Sequence, residues 1–402
     1  MNRRLAAILG LPLLLACSTT FARDVAFLRR HTEVVVLSDR DGQAQVALCP
    51  ALQGRVMTST ASGPGGLSFG WINYDLLSSG KTKPHINAYG GEDRFWLGPE
   101  GGQFSIFFPQ GAPQTLERWQ TPAPIDSEPW ILAERDSMRA LLRKTMRLAN
   151  ASGAAFNLEV VREVKLLTRE RAWKEVEVAD RMHVNVVAFE TVNRIENVGR
   201  EPWKYETGLL SVWILGMFKP SDETTVVIPF RVGPPKDFGP IVNDVYFGKV
   251  PADRLVARGG ALFFKGDGRH RSKIGVSPRR AKPVLGSYDA ENGVLTLVQY
   301  TLPDGNTVYV NSLWELPQKE PYGGDAVNSY NDGPPEPGKK SLGPFYELES
   351  SSPAAGLPPG KALKHVHRTF HFRGPDEDLD EVARATLGVS LETIRTALPQ
   401  PP

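Results

Sequence analysis

Alternating hydrophobic and polar positions are the clearest pattern along this chain. Between residues 156 and 166, apolar side chains alternate with mostly polar ones. This period of two predicts a β-strand with one buried face. Residues 184–195 and 363–372 predict two further strands. Residues 208–218 are almost entirely apolar and predict a strand that is buried on both faces.

A β-hairpin is predicted between two later apolar runs. Residues 294–302 and 307–316 are separated by the sequence Pro-Asp-Gly-Asn. The Asp304-Gly305 pair supplies the positive φ that a tight turn requires. The pattern therefore predicts that these two runs pair with each other as antiparallel strands.

Helical spacing of apolar residues occurs only near the C-terminus. Residues 377–387 show it, and Gly388 is positioned to end that helix. Ser390 is then suited to cap a second short helix that extends through Leu398. Together the patterns predict an all-β fold, one large antiparallel body, with a short C-terminal helical appendix.

The first residues have the features of a bacterial secretion signal. Arg3 and Arg4 precede an apolar run over residues 5–16, which is shorter than the roughly 20 residues that span a bilayer. Two cleavage positions compete. The sequence Leu-Leu-Ala-Cys resembles a lipobox, in which Cys17 is lipidated, whereas Thr-Phe-Ala resembles an ordinary site with cleavage after Ala22.

These features give three predicted regions and a location. Residues 1–22 form the signal peptide, residues 23–375 form the β body, and residues 376–402 form the C-terminal helices and tail. The protein is expected to be exported, as a periplasmic protein or an outer-membrane lipoprotein. Contact with a membrane is expected only through the lipid on Cys17.

Composition narrows the function classes. Of the 47 Lys and Arg residues, removal of Arg3 and Arg4 leaves 45, against 45 Asp and Glu. A balanced charge gives no basic field, so nucleic acid is not an expected partner. Once Cys17 is set aside, Cys49 is the remaining cysteine of two and is predicted to be a small buried hydrophobe.

Four segments, in this order and spacing, carry a family resemblance: CPALQGRVM at residues 49–57, GGEDRFWLGPE at 90–100, FETVNRIENV at 189–198 and FYELESSSPAAGLPPG at 345–360. Together they resemble the galactose mutarotase-like superfamily, which includes the aldose 1-epimerases. The chain looks closest to an exported bacterial family of unknown function within it. The resemblance implies a β-supersandwich whose concave face binds carbohydrate.

The resemblance also implies residue roles. Glu349 matches the position of the general base, and Glu347, two residues earlier on the same strand face, is the alternative match. Arg94 matches a contact to sugar hydroxyls. The superfamily's acid is a histidine, but residues 208–213 contain none, and His85 is the best replacement by position. Further ligand contacts are expected at Glu92, Asp93, Trp96 and Asn193.

These roles have structural alternatives. A carboxylate such as Glu349 also pairs commonly with an arginine at the rim of a sheet, and His85 is also read as a surface histidine in a loop. Trp71, Trp96 and Trp314 offer faces for stacking on a sugar ring, although large aromatics in a β body usually belong to the core.

Residues 323–333 concentrate oxygen-bearing side chains and are predicted to form a sugar-contacting loop. Its candidate contacts are Asp325, Asn328, Asn331 and Asp332. Calcium is the alternative ligand, because hard cations prefer oxygen. The spacing matches no EF-hand loop, and such segments are also turns stabilised by their own side chains. No other cofactor is expected.

His365, His367 and His371 share one face of a predicted strand. A His-x-His pair is suitable spacing for a metal, but a solvated strand face is the commoner outcome, and no metal site is predicted.

Three functions remain at this point. The first is an exported carbohydrate-binding protein that acts as a sugar epimerase through acid–base chemistry at the anomeric carbon. The second is a non-catalytic glycan-binding lipoprotein, and the third is a polysaccharide-processing enzyme of lyase type. Arg94, Glu349 and residues 325–332 are expected to converge on one concave surface. A close Arg94–Glu349 ion pair would favour the binding protein over the epimerase, because it would lower the pKa of the base.

Overall fold

The computed structural model describes residues 19–399, so the candidate lipidation site Cys17 lies outside the described residues. Within them, the strands in chain order are β1 Val35–Ser38, β2 Gln45–Cys49, β3 Arg55–Thr60, β4 Arg94–Gly98, β5 Ile131–Arg135, β6 Arg139–Ala149, β7 Ala155–Leu166, β8 Asn185–Asn197, β9 Ser211–Phe218, β10 Thr224–Pro229, β11 Leu255–Arg258, β12 Ala261–Lys265, β13 Ser272–Val276, β14 Val284–Asp289, β15 Val294–Tyr300, β16 Val327–Asn331, β17 Tyr346–Ser351 and β18 Ala362–Arg373. The α-helices are α1 Phe21–Arg29, α2 Tyr74–Ser79, α3 Arg169–Val176, α4 Pro235–Phe238, α5 Asp376–Leu387 and α6 Leu391–Thr396.

The strands form three sheets. One has three strands, in the order β1-β2-β3, and one has ten, in the order β11-β12-β10-β14-β15-β18-β8-β7-β6-β5. The third has five, in the order β13-β16-β17-β9-β4. Every strand pairing within them is antiparallel. The predicted all-β fold is confirmed.

The alternating segments form the expected strands. In β7 the buried positions alternate with more exposed ones along almost the whole strand. The segments predicted at residues 184–195 and 363–372 become β8 and β18, which pair along their full length. The apolar run at 208–218 becomes β9, whose residues are all buried because strands flank it on both sides and side chains cover both faces.

The predicted hairpin at Asp304-Gly305 is wrong. Gly305 does have the positive φ of a turn, at 71°. However, β15 pairs with β14 on one edge and with β18 on the other. With both edges occupied, residues 307–316 have no partner edge in this sheet, and they form no strand beyond one isolated bridge between Tyr309 and Gly323.

The prediction of a loop over residues 323–333 is also wrong for the middle of that segment. Residues 327–331 form β16, which lies between β13 and β17 in the five-stranded sheet. The polar side chains of this segment therefore alternate between two faces of a sheet and do not share one loop surface.

The C-terminal helices are confirmed. Gly388, with φ 74°, ends α5, and the Ser390 side chain caps α6 by accepting a hydrogen bond from the backbone N–H of Thr393. Both helices pack apolar side chains against the ten-stranded sheet. Cys49 is fully buried, and burial raises the pKa of its thiol to about 12.

The N-terminal helix α1 belongs to the folded body. Its Phe21 and Leu28 side chains are buried. The backbone N–H groups of Phe21 and Ala22 donate to the carbonyls of Gly66 and Pro64, at 3.0 and 2.8 Å. The folded body thus extends to residues that precede the predicted boundary at residue 23. No helix among residues 19–399 is long and apolar enough to cross a membrane.

Candidate functional site

A cavity of about 380 Å³ lies against one face of the five-stranded sheet; we call it the sheet cavity. Alternation along the strands decides which side chains reach it. On β9, Trp213, Leu215 and Met217 line the cavity, whereas Val212 and Ile214, which alternate with them, are fully buried and do not line it. On β17, Glu347 lines the cavity, whereas Leu348 is in the core.

An ion pair between Arg94 and Glu347 lies at this cavity. The Arg94 Nη2 and Glu347 Oε1 atoms are 2.9 Å apart, and the two side chains are only 2% and 6% exposed. The Arg94 guanidinium lies 4.1 Å from the centre of the Trp96 ring. Arg94 Nε and Nη1 are buried and make no hydrogen bond within the described residues. Arg94 thus has unused donors beside the space that a ligand would fill.

Glu349 has a different environment. It is fully buried, and its Oε2 accepts hydrogen bonds from Lys273 Nζ and from the Trp213 indole, each at 2.9 Å. It does not line the cavity. The expected Arg94–Glu349 pair is wrong: Arg94 pairs with Glu347, and Lys273 is the partner of Glu349. Of the two glutamates, Glu347 is therefore the one that a ligand would meet.

The pKa of Glu347 is raised to about 8. Burial is the main cause, because a carboxylate loses its hydration there. The Arg94 guanidinium acts in the opposite direction, and the neighbouring Glu349 carboxylate raises the pKa further. A carboxyl group with such a pKa exchanges its proton close to neutral pH, which is the property that a general base requires.

His85 also lines the sheet cavity and is half-buried. Its Nδ1 lies 2.6 Å from the backbone carbonyl oxygen of Trp119. A carbonyl oxygen only accepts, so Nδ1 carries the hydrogen and Nε2 remains for proton transfer. His85 and Glu347 thus reach one cavity although they are far apart in the sequence.

The walls of the sheet cavity are largely aromatic. They include Trp96, Trp119, Trp213, Phe247, Trp314, Tyr330 and Phe345. Among the predicted stacking residues, Trp96 and Trp314 are present. Trp71 instead packs against Phe345, with ring centres 4.7 Å apart, and lines a second cavity of about 770 Å³. Leu342 lines both cavities.

Two further carboxyl groups line the sheet cavity. Asp332 accepts a hydrogen bond from the Tyr330 hydroxyl at 2.6 Å and another from the backbone N–H of Gly343 at 2.7 Å. Burial raises the pKa of Asp332, an effect that these hydrogen bonds oppose. Burial also raises the pKa of Glu100, against the charge of Lys273.

The predicted contacts Glu92, Asp93 and Asn193 do not line the sheet cavity. All three are fully buried. Asp93 Oδ1 lies 2.5 Å from Arg162 Nη2, and Arg162 Nη1 donates to the Asn193 side chain at 2.6 Å. This network joins β8, β7 and the start of β4. Asp93 and Asn193 therefore bind Arg162 inside the protein. The sugar contacts expected of them are wrong.

Glu92 pairs instead with one of the three histidines. His371 Nε2 lies 2.8 Å from Glu92 Oε2. His365 Nε2 and His367 Nδ1 each lie 2.8 Å from the hydroxyl of Ser350 on β17. All three histidines are buried, so the expectation of a solvated strand face is wrong. Burial lowers the pKa of His365 to about 3 and that of His367 to about 4.

Asp325, Asn328 and Asn331 also lie away from the sheet cavity lining. The Asp325 carboxylate accepts from Asn243 Nδ2 at 3.1 Å and from the Tyr246 hydroxyl at 2.7 Å. The side-chain oxygen of Asn331 accepts a hydrogen bond from the backbone N–H of Gly268 at 2.8 Å. This bond holds the turn near Gly268. Among residues 19–399, no three His, Cys, Asp or Glu side chains are grouped so as to hold a metal ion.

Several cavity residues were not identified from the sequence. Lys273 and Arg271 lie at and just before β13, and Trp119 lies in an irregular segment. A signal for Lys273 was present, because a lysine inside a short strand of otherwise small and apolar residues is rarely buried without a charged partner. Nothing local indicated that its partner would be Glu349.

The protein is thus an antiparallel β protein, and aromatic and charged side chains line a cavity on one of its sheets. Residues 19–398 match the model of a family of unknown function, DUF6786, and the chain belongs to that family. No curated protein matches it in sequence.

In structure the chain is similar to several solved proteins, some of which are described as galactose mutarotase-like or as aldose 1-epimerases. One is the Slr1438 protein of Synechocystis sp. PCC 6803, with 13% identity, a TM-score of 0.49, and coverage of 86% of this chain and 96% of that chain. Another is an Escherichia coli K12 protein described as a candidate aldose 1-epimerase, with 11% identity, a TM-score of 0.47, and coverage of 85% and 99%. A third is a galactose mutarotase-like protein of Lactobacillus casei ATCC 334, with 10% identity, a TM-score of 0.47, and coverage of 84% and 100%.

Proposed function

We propose that the protein binds a carbohydrate in the sheet cavity and interconverts its anomers by acid–base chemistry. The observation that carries this proposal is Glu347, a buried carboxyl group with a raised pKa that lines an aromatic cavity. Aromatic rings suit the apolar faces of a sugar, and a few buried polar groups suit its hydroxyls.

The chemistry follows from the groups present. Glu347 as base takes the proton of the anomeric hydroxyl, while an acid donates a proton to the ring oxygen. The bond between the anomeric carbon and the ring oxygen opens, the aldehyde rotates, and ring closure returns both protons. His85 is the proposed acid: as the imidazolium it donates the Nε2 proton to the ring oxygen while Nδ1–H stays bound to the Trp119 carbonyl, and ring closure returns the proton to Nε2. Arg94 Nε and Nη1 are donors for the oxygen on which negative charge develops.

Exchange between the α and β anomers of galactose and glucose, followed by magnetisation-transfer NMR, tests this function. We expect the wild-type protein to accelerate exchange, and Glu347→Gln to reduce the acceleration by a factor of about 100 or more. Glu336→Gln is the matched control, since Glu336 is exposed and lies outside the cavity lining. Equal rates for wild type and Glu347→Gln would contradict the assignment of the base.

A non-catalytic carbohydrate-binding protein is the second candidate. The Arg94–Glu347 ion pair favours it, because a paired carboxylate is a weaker base. Under this alternative, sugars bind to wild type in an NMR titration, and the exchange rate stays at its uncatalysed value.

We further propose that the protein is exported and anchored through a lipid on Cys17. Support comes from the contacts of the residues that ordinary cleavage after Ala22 would remove. Thr19 Oγ1 accepts from Lys219 Nζ at 2.7 Å, and Phe21 is 2% exposed. Cleavage before Cys17 leaves all of these contacts in place. Incorporation of labelled palmitate into wild type but not into Cys17→Ser is the expected result, and wild type without label would contradict the proposal.

A further inference from the structure

Unpaired positive charge is concentrated at the sheet cavity. Five cationic side chains line it, against three carboxyl groups, whereas the whole chain has 47 Lys and Arg against 45 Asp and Glu. The five are Lys83, Arg94, Arg271, Lys273 and Lys340. The local excess is therefore not a property of the protein as a whole.

Three of these cations have no acidic partner. Lys83, Arg271 and Lys340 take part in no ion pair within the described residues. Lys83 and Lys340 are exposed, and Arg271 is half-buried with its guanidinium 3.9 Å from the centre of the Phe247 ring. Stacking on Phe247 and a hydrogen bond to the Tyr330 side chain hold the guanidinium plane in place, and the other N–H groups are left for another partner.

The carboxyl groups at the cavity already have their hydrogen bonds inside the protein. Asp332 is held by the Tyr330 hydroxyl and the Gly343 N–H, and Glu347 by Arg94. Burial also raises the pKa of Glu347, Asp332 and Glu100 above their ordinary values, which favours their neutral forms. Negative charge at the cavity is thus lower than the count of carboxyl groups suggests.

A second, independent observation points to a ligand with acceptor atoms. Arg94 is 2% exposed, lines the cavity, and has two nitrogens without a hydrogen-bond partner in the described residues. Buried N–H groups without partners destabilise the protein, and an acceptor on a ligand removes that cost.

We propose that the carbohydrate bound in the sheet cavity is an acidic sugar, whose carboxylate or phosphate group is held by Arg271 between Lys83 and Lys340. Arginine forms paired hydrogen bonds with both kinds of anion, and the two lysines add charge without demanding a fixed geometry. This inference rests on the proposed carbohydrate function and names its ligand class.

The test is calorimetric titration of the full chain with three probes: galacturonate, galactose 6-phosphate and galactose. We expect at least one of the acidic sugars to bind about tenfold or more tightly than galactose in low salt, with the advantage shrinking as salt is raised. The relative affinities of galacturonate and galactose 6-phosphate identify which anion the site prefers.

Variants then locate the anion. Arg271→Gln, and the combined Lys83→Gln and Lys340→Gln variant, should abolish the preference for the acidic sugar, because each lowers affinity for the acidic sugar about tenfold more than affinity for galactose. Lys364→Gln is the matched control, since Lys364 is exposed on β18 and unpaired in the described residues. Thermal unfolding establishes that each variant is folded.

The outcomes separate the two proposals. Galactose affinity equal to that of both acidic sugars, or a preference that persists in the Arg271 and lysine variants, overturns the acidic-sugar inference and leaves the carbohydrate function standing. Absence of binding by all three sugars overturns the inference and counts against the carbohydrate function as well.

Discussion

Arg94 and Glu347 are 253 positions apart in the sequence and lie 2.9 Å from each other at the sheet cavity, on strands that β9 separates. Both side chains extend across β9 on the face that the cavity occupies. The strand order therefore assembles the site, and neither residue has its partner nearby in the chain. A substitution at either residue leaves the other buried and without this partner.

The first prediction concerns the pH dependence of anomer exchange. The base form of Glu347 appears as pH rises through its pKa of about 8. We expect kcat/KM to rise with pH as Glu347 ionises and to fall again once the acid loses its proton, so that the profile is bell-shaped. Glu349→Gln should move the rise to lower pH, because it removes a like charge beside Glu347. A flat profile between about pH 5 and 9 would contradict Glu347 as the base.

The same pKa shift has a consequence for stability. A carboxyl pKa that is higher in the folded state stabilises the fold at low pH, and this contribution is lost as pH rises from the ordinary value of 4.5 through about 8. The dependence therefore has the opposite sign to that of an ordinary surface carboxylate in an ion pair.

The second prediction concerns the buried pair of Glu349 and Lys273. Glu349→Gln should lower the free energy of unfolding by about 3 kcal/mol or more, because Lys273 loses its partner in a buried position. Glu134→Gln is the control: its pair with Arg139 is exposed, and we expect a change within about 1 kcal/mol. Urea unfolding measures both. Equal effects would show that Lys273 finds water or another partner.

The third prediction concerns stability in acid. His365 and His367 have pKa values of about 3 and 4 in the folded protein, against 6.5 for an unperturbed histidine. The unfolded chain therefore takes up their protons first, and stability is lost as pH falls below about 6.5, by about 1.4 kcal/mol per pH unit for each histidine.

Replacement of one histidine isolates this effect. In unfolding experiments from pH 7 to 4, His367→Gln should lose stability less steeply than wild type, because glutamine does not titrate. His183→Gln, at an exposed position, should follow the wild-type slope. Parallel curves for wild type and His367→Gln would refute the assignment of the acid sensitivity to this histidine.

The fourth prediction concerns the N-terminal helix α1. A soluble version that begins at Thr19 should be more stable than one that begins at Arg23 by about 3 kcal/mol or more. The longer version keeps the buried Phe21 side chain and the hydrogen bonds of Phe21 and Ala22 to residues 66 and 64. Thermal and urea unfolding compare the two, and identical stability would remove the structural argument for cleavage before Cys17.

Local patterns predicted the strands well and their pairing poorly. Alternation identified β7, β8 and β18, because one buried face imposes a period of two on any such strand. The hairpin after β15 failed because the partners of β15 are β14 and β18, and β18 begins far along the chain from it. Which strand occupies a free edge depends on the whole sheet.

The site shows a similar division. The motifs pointed to Arg94, Trp96 and Glu347, which line the sheet cavity, and to His85. They assigned Glu349 as the base and Glu347 only as the alternative, whereas Glu347 is the one that lines the cavity. Both share a strand face, so the local sequence could not separate them. Glu92, Asp93 and Asn193 resemble binding residues in type, but Glu92 and Asp93 pair with His371 and Arg162 of the ten-stranded sheet. Asn193 lies in that same sheet, directly opposite Arg162 on the neighbouring strand. The catalytic and binding roles of the residues that line the sheet cavity stay predictions.

The segment around Gly343 leaves no free space for a larger residue at that position. Its N–H holds Asp332 at the sheet cavity, while Leu342 beside it lines both cavities. A Cβ atom at position 343 would lie 2.1 Å from Trp71 Cζ2, far inside van der Waals contact. Any side chain there must displace either the indole or the backbone. A single methyl group would thus reshape two cavities at once, so the wall between them admits glycine alone.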